Sequence, residues 1–226
     1  EGGDDMAVVT FDDGYRNNLT EALPVLERYE VPATVYVSTG FVEGGVPYEY
    51  TLARAVSEGD SIEVTVAGKS ISHELTTRSS RAKEFREVAG VVKDSPEARR
   101  ELMDELSVEE AGVSIMNADE LREVDSHPLV TVGAHGHRHL PLASLSDSEI
   151  EREVEECTSI LEDVLGHPVS HFSYPYGSND ARVRETVRDA GYDTGVTTKS
   201  SYIRYDEIPE KVYQLPRFDA SFTGVK

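Results

Sequence analysis

Several things are scarce in this chain, and each scarcity removes a class of function. One cysteine, Cys157, occurs in 226 residues, which rules out an intrachain disulfide and disfavours a cysteine-based metal cluster. Cys157 lies on a helix-compatible stretch, where a small buried hydrophobe is the expectation. No apolar run approaches the length of a membrane-spanning helix, and no signal-peptide core is visible. The chain opens at Glu1 and not at methionine, as a mature form or a fragment would, so location stays open between the cytoplasm and the cell surface or exterior. No Pro/Gly/Ser-rich linker separates two halves, and one domain over 1–226 is expected. Lysine is scarce beside arginine, and the 22 bases face 43 acids for a formal net charge of -21. Such a field repels phosphates, which argues against nucleic acid as a partner. A dense carboxylate surface with few lysines is also the composition of adaptation to high salt, where screening reduces self-repulsion.

What is present is organised around Thr10-Phe11-Asp12-Asp13-Gly14. The apolar run Met6-Ala7-Val8-Val9 leads into it, which reads as a strand delivering two carboxylates at its C-terminal end. In isolation an ordinary solvated turn reads the same way. Leu19 to Tyr29 carries an apolar stripe of Leu19, Leu23 and Leu26 and predicts a helix. Ala33-Thr34-Val35-Tyr36-Val37 predicts a second strand, so the start of the chain is a βαβ unit in a parallel sheet.

Residues 43–116 break this rhythm and read as an insertion after the second strand. Tyr48 to Val56 suggests a short helix. Ser61–Val66 alternates, turns at Ala67-Gly68-Lys69 and continues at Ser70-Ile71-Ser72 as a hairpin. Ser80–Val88 and Pro96–Leu106 are charged, helix-compatible segments. The rhythm resumes with a capping box at Asn117–Glu120 and a third strand at Pro128–Ala134, which runs into His135-Gly136-His137-Arg138-His139. A second capping box at Ser146–Glu149 opens a long helix with Ile150, Val154, Cys157, Leu161 and Val164 on one face. Val169–Tyr174 predicts a fourth strand, Asp180–Ala190 a helix, Tyr192–Thr197 a fifth strand and Val212–Leu215 a sixth.

Polar constellations therefore recur where successive strands end, which is where parallel α/β folds and (β/α) barrels place their chemistry. His135 and His139 are four apart, and a helical turn or tight bend puts both imidazoles on one side. His137, offset by two, points away in a helical geometry. Two imidazoles and one carboxylate suit a Lewis-acidic divalent ion, Zn2+ most simply, with other divalent ions compatible. One of the two aspartates can ligate the ion while the other takes a proton from water.

Together these motifs resemble those of the polysaccharide deacetylases of the NodB-homology class, carbohydrate esterase family 4. Thr10-Phe11-Asp12-Asp13-Gly14 matches the first family motif, His135 and His139 the second, and Ser173-Tyr174-Pro175-Tyr176-Gly177 the third. The resemblance implies a distorted (β/α) barrel of about seven strands. It implies Asp12 as catalytic base, with Asp13, His135 and His139 as ligands of one divalent metal ion. It implies the backbone N–H of Tyr176 as an oxyanion donor. Leu215-Pro216-Arg217 resembles a late segment in which the arginine approaches the base. Many members carry an arginine at the position of Ser173; Arg217 is expected to take its role here. No late Leu-X-His motif supplies a general acid, so His137, His171 and His127 are the fallback candidates, or the acid lies upstream of residue 1. The implied activity is removal of N-acetyl groups from an N-acetylated carbohydrate. Two alternatives stand beside it: hydrolysis of a non-sugar amide or imide on the same scaffold, and a non-catalytic carbohydrate-binding descendant.

Overall fold

The computed structural model describes residues 7–93, 95–106 and 114–220. Two compact units result, one made of Glu1–Glu43 and Ser114–Lys226, the other of Gly44–Val113.

In the first unit β1 (Val9–Phe11) leads through a π-turn at Asn18–Ala22 into α1 (Leu23–Tyr29) and β2 (Ala33–Val37). A single turn of helix, α2 (Thr39–Val42), follows directly. The second unit holds α3 (Tyr48–Glu58), β3 (Ser61–Val66), β4 (Lys69–Glu74), α4 (Arg78–Val92) and α5 (Pro96–Leu106). The first unit then continues with α6 (Ala118–Asp125), β5 (Val130–Ala134), α7 (Asp147–Leu165), β6 (His171–Ser173), α8 (Ala181–Asp189), β7 (Thr194–Val196) and α9 (Ile208–Lys211).

Five strands form one open parallel sheet in the order β1-β2-β5-β6-β7. Val9 pairs with Ala33, Ala33 with Val130, Ala134 with Phe172 and Phe172 with Gly195. Val35, Val37, Val132, Ala134 and Phe172 of the sheet are buried with Ile150, Val154, Cys157 and Leu161 of α7 and with Val183 and Val187 of α8. This is the α/β architecture of a distorted, open barrel. Cys157 is fully buried, and burial pushes its thiol up to about 12, so it is a packing residue.

Both capping boxes form. Asn117 accepts from the amides of Asp119 and Glu120 at 2.9 and 3.0 Å, while Glu120 returns to the Asn117 amide. The sixth expected strand does not extend. Among the described residues Val212–Leu215 makes one bridge, Val196 to Leu215. The cause is local: α9 ends at Lys211, and Pro216 has no N–H to donate to a ladder.

The second unit has its own core of Leu52, Ile62, Val64, Val66, Ile71, Leu75, Val88, Val92 and Leu102. Its β3 and β4 pair antiparallel, with Ile62, Val64 and Val66 facing inward at a period of two. The turn is tighter than expected. Ala67 and Gly68 carry it at φ of 51° and 71°, and Lys69 already belongs to β4, as a two-residue type I′ connection requires.

Gly133 makes the close approach of β2 and β5 possible at the position that matters below. A Cβ there would stand 2.7 Å from the Tyr36 ring and 2.8 Å from the His171 carbonyl oxygen. Gly133→Ala should therefore cost about 1–3 kcal/mol of stability through overpacking, read as a lowered urea midpoint with an unchanged m-value.

Candidate functional site

The C-terminal ends of the parallel strands gather the chemistry. Asp12 and Asp13 follow β1, Ser38 and Thr39 follow β2, His135 follows β5, Tyr174 to Tyr176 follow β6, and Thr197 follows β7. Of the five non-glycine residues with positive φ among the described residues, three are here: Asp13 at 75°, His139 at 53° and Tyr176 at 57°. Each is an uphill conformation that the surroundings must enforce, and such strain clusters where function needs a side chain aimed against backbone preference.

Asp13, His135 and His139 converge. Asp13 Oδ1 lies 3.6 Å from His135 Nε2 and 3.3 Å from His139 Nε2. With Zn–N and Zn–O bonds of about 2.1 Å, the edge of a tetrahedral ligand set is about 3.4 Å. Two imidazoles and a carboxylate at this spacing, with both rings buried, therefore suit a divalent metal ion. The tautomer of His135 agrees. Its Nδ1 lies 2.7 Å from the Ser173 carbonyl oxygen, which can only accept. Nδ1 carries the proton, and the Nε2 lone pair faces Asp13.

The segment carrying the histidines is not helical. It bends at Gly136, φ 72°, and again at His139. Its backbone is tied to the start of α2 through the Thr39 amide to Gly136 O at 3.3 Å and the Gly40 amide to His137 O at 2.9 Å. A Cβ on Gly40 would stand 2.8 Å from that same oxygen. From the other side Glu153 of α7, fully buried, accepts from the Arg138 amide at 2.8 Å and from Arg138 Nε at 2.5 Å. The His139 ring is flanked by Phe41, His135 and Tyr176 at centroid distances of 5.8, 5.0 and 4.6 Å.

Asp12 has a different environment. Arg217 grips it with both prongs, Nη1 to Oδ1 at 2.7 Å and Nη2 to Oδ2 at 2.8 Å. The remaining donors of the guanidinium go to Thr10 Oγ1 at 3.1 Å, Ser173 Oγ at 3.0 Å and the Thr197 carbonyl at 3.1 Å. All five N–H groups are thereby used. Ser173, small and buried, leaves the space and supplies an acceptor. Beneath the guanidinium lies the Tyr36 ring, 5.7 Å from Cζ to centroid. Burial pushes the Tyr36 phenol upward, so it stays neutral. Burial also works against charge on Asp12, but the electrostatic influence of the nearby His135 and Arg217 and the hydrogen bonds of the Arg217 fork outweigh it. The Asp12 carboxyl is held below its usual value.

The fallback acids are engaged elsewhere. His137 meets Thr39 Oγ1 at 3.0 Å and Glu156 at 3.7 Å. His171 meets Thr194 Oγ1 at 2.9 Å at the opposite end of β6, and His127 meets Glu27 at 3.0 Å. Sequence reasoning passed over Glu153 and Tyr36. Glu153 carried a signal, because an acid three residues after Ile150 falls on the apolar face of α7. Tyr36, inside an apolar strand, carried none.

A family model described as polysaccharide deacetylase matches residues 1–94 and 103–195. A protein of Bacillus subtilis (strain 168), YxkH, which bears the polysaccharide deacetylase name, is 20% identical over 200 residues, covering 88% of this chain and 47% of its own length. The chain thus spans about half of that curated relative. Among solved structures, Streptococcus pyogenes deacetylase PplD in complex with acetate aligns at a TM-score of 0.58 and 16% identity, over 92% of this chain and 62% of its own. The BpsB deacetylase domain from Bordetella bronchiseptica aligns at 0.56 and 15%, over 93% and 69%. At these identities the solved structures speak to the fold.

Removing the brace at Glu153 should loosen the histidine segment. Glu153→Ala is expected to cost about 1–3 kcal/mol, the scale of losing hydrogen bonds to a buried charged group, and to weaken zinc binding in a chelator-competition titration. Glu153→Gln, which keeps an acceptor, should lie between it and wild type.

Proposed function

Because the chain belongs to the polysaccharide deacetylase family, we propose that it is a metal-dependent hydrolase that removes N-acetyl groups from an N-acetylated carbohydrate. The observation that carries this reading is the division of labour between two adjacent aspartates. Asp13 faces two imidazoles, while Asp12 faces a guanidinium. We assign Asp13, His135 and His139 as ligands of one divalent ion, Zn2+ by ligand type. Bound there, such an ion supplies Lewis acidity, making a water more acidic and an acetyl carbonyl more electrophilic.

The protein's own groups do the rest. Asp12 takes the proton of the attacking water as general base. Arg217 keeps Asp12 ionised and fixes the direction of its lone pairs, the role that an arginine at position 173 would otherwise have. We assign the backbone N–H of Tyr176, a residue in a left-handed conformation, as the donor to the oxyanion that develops on the acetyl carbonyl. Collapse of that species breaks the C–N bond as the departing nitrogen takes back the proton that Asp12 holds, releasing acetate and the sugar amine.

The surroundings favour a sugar over a small imide. A cavity lined in part by Gly177, Asn179, Thr197, Lys199 and Tyr202 adjoins the Arg217 segment. At its side Tyr202, 90% exposed, and Phe218, 51% exposed, hold their rings 4.9 Å apart, an aromatic platform of the kind that sugar faces stack on. The whole chain would then act as one catalytic domain, with Gly44–Val113 an insertion in it.

Three measurements test the reading. An acetate-release screen on chitin oligomers, peptidoglycan fragments and small imides should show turnover on a glycan, reduced by about 10²-fold or more in Asp12→Asn as expected for loss of a general base. Release from imides alone would favour the non-sugar alternative, and metal binding without turnover the non-catalytic one. His135→Ala with His139→Ala should abolish activity and the associated metal. The Arg217 grip also has a pH signature. Asp12 has a depressed pKa, so its base form persists as pH falls; without the guanidinium that pKa rises. In Arg217→Gln the acid limb of kcat/KM should move to higher pH, whereas a merely structural arginine would lower activity without moving the limb.

A further inference from the structure

The second unit carries a cluster that the proposed reaction does not use. His73 lies on β4, and Glu84 and Glu87 lie on α4, three residues apart and so on one helical face. One ligand atom from each comes within 4.8 Å of the others. Glu84 is 2% exposed, and its Oε2 accepts no hydrogen bond among the described residues. His73 Nε2 stands 3.4 Å from that oxygen, within ion-pair reach yet outside hydrogen-bonding geometry.

A buried carboxylate with an unsatisfied oxygen is unfavourable unless a cation meets it. Of the neighbouring bases Lys83 reaches only the other oxygen, Oε1, as an ion pair at 3.7 Å from a side chain 65% exposed, and leaves Oε2 without a hydrogen bond. Arg81, one turn before Glu84, gives Nη1 to the carbonyls of Val56, Ser57 and Gly59. Arg86 turns its Nε to the Ala82 carbonyl. What remains is an imidazole nitrogen and two carboxylates, a borderline donor set suited to Zn2+ and its transition-metal neighbours more than to Mg2+ or Ca2+. The His73 side chain is 39% exposed, which gives an ion access and leaves room for water as a further ligand.

We propose that His73, Glu84 and Glu87 form a second divalent-cation site, zinc-class and structural, that pins the β3–β4 hairpin to α4. The site is independent of the Asp13, His135 and His139 cluster, and the test is built to keep the two apart. The full chain is dialysed against Zn2+ with excess Mg2+ to occupy unspecific surface carboxylates, and bound zinc is then counted by elemental analysis. Wild type should hold two ions, His135→Ala/His139→Ala one, His73→Ala/Glu84→Gln one, and the combined variant none. In the His135→Ala/His139→Ala background, added Zn2+ should raise the melting temperature. Glu87→Gln, an exposed change that leaves folding intact, should weaken that response by about tenfold in half-saturating zinc, the scale of losing one ligand contact. The proposal is overturned if His135→Ala/His139→Ala holds no zinc and shows no zinc-dependent melting shift, which leaves His73 and Glu84 as a plain ion pair. It is equally overturned if the second ion survives His73→Ala/Glu84→Gln.

Discussion

Everything at the site depends on one interaction, the fork of Arg217 around Asp12. Two carboxylates at consecutive positions repel, and a metal placed against both would be shared between them. The guanidinium resolves the conflict by hydrogen-bonding both oxygens of Asp12, whose Oδ2 stands 3.8 Å from His135 Nε2. Its five donors reach Thr10 and Asp12 beside β1, Ser173 at the end of β6 and the Thr197 carbonyl after β7. A cation fixed at every donor has no low-cost alternative position, so Asp12 has one orientation and Asp13 is left to the imidazoles.

Glycine and small residues make that arrangement possible. Gly133 admits the Tyr36 ring, which underlies the guanidinium, and Ser173 vacates the volume that a longer side chain would fill. On the other side of the site, Gly136 and Gly40 let the histidine segment fold back on α2 while Glu153 holds it from α7. The strained backbones of Asp13, His139 and Tyr176 are enforced from both directions.

Much of this was legible in the sequence, for identifiable reasons. Patterns that depend on local chemistry translated directly: β2 and α5 have the expected limits, and the Asn117 and Ser146 boxes start the helices they predicted. The Asp13, His135 and His139 cluster could be anticipated because three histidines within five residues and an aspartate pair both follow predicted strands. The contact between Arg217 and Asp12 could be suspected only through a family pattern, since no local periodicity connects positions 205 residues apart. The sixth strand was overextended because β-propensity in Val212–Leu215 does not register the helix before it or the proline after it. Tyr36 escaped notice because an aromatic in a buried strand looks like core from sequence alone. Glu153 needed only the question of why an acid sits on an apolar stripe.

The order of the site residues along the chain also sets the order in which they become available. Asp12 and Asp13 are made first, His135 and His139 more than a hundred residues later, and Arg217 after all of them. Closure of the site therefore joins segments 205 residues apart in sequence, a long-range contact of the kind that forms slowly.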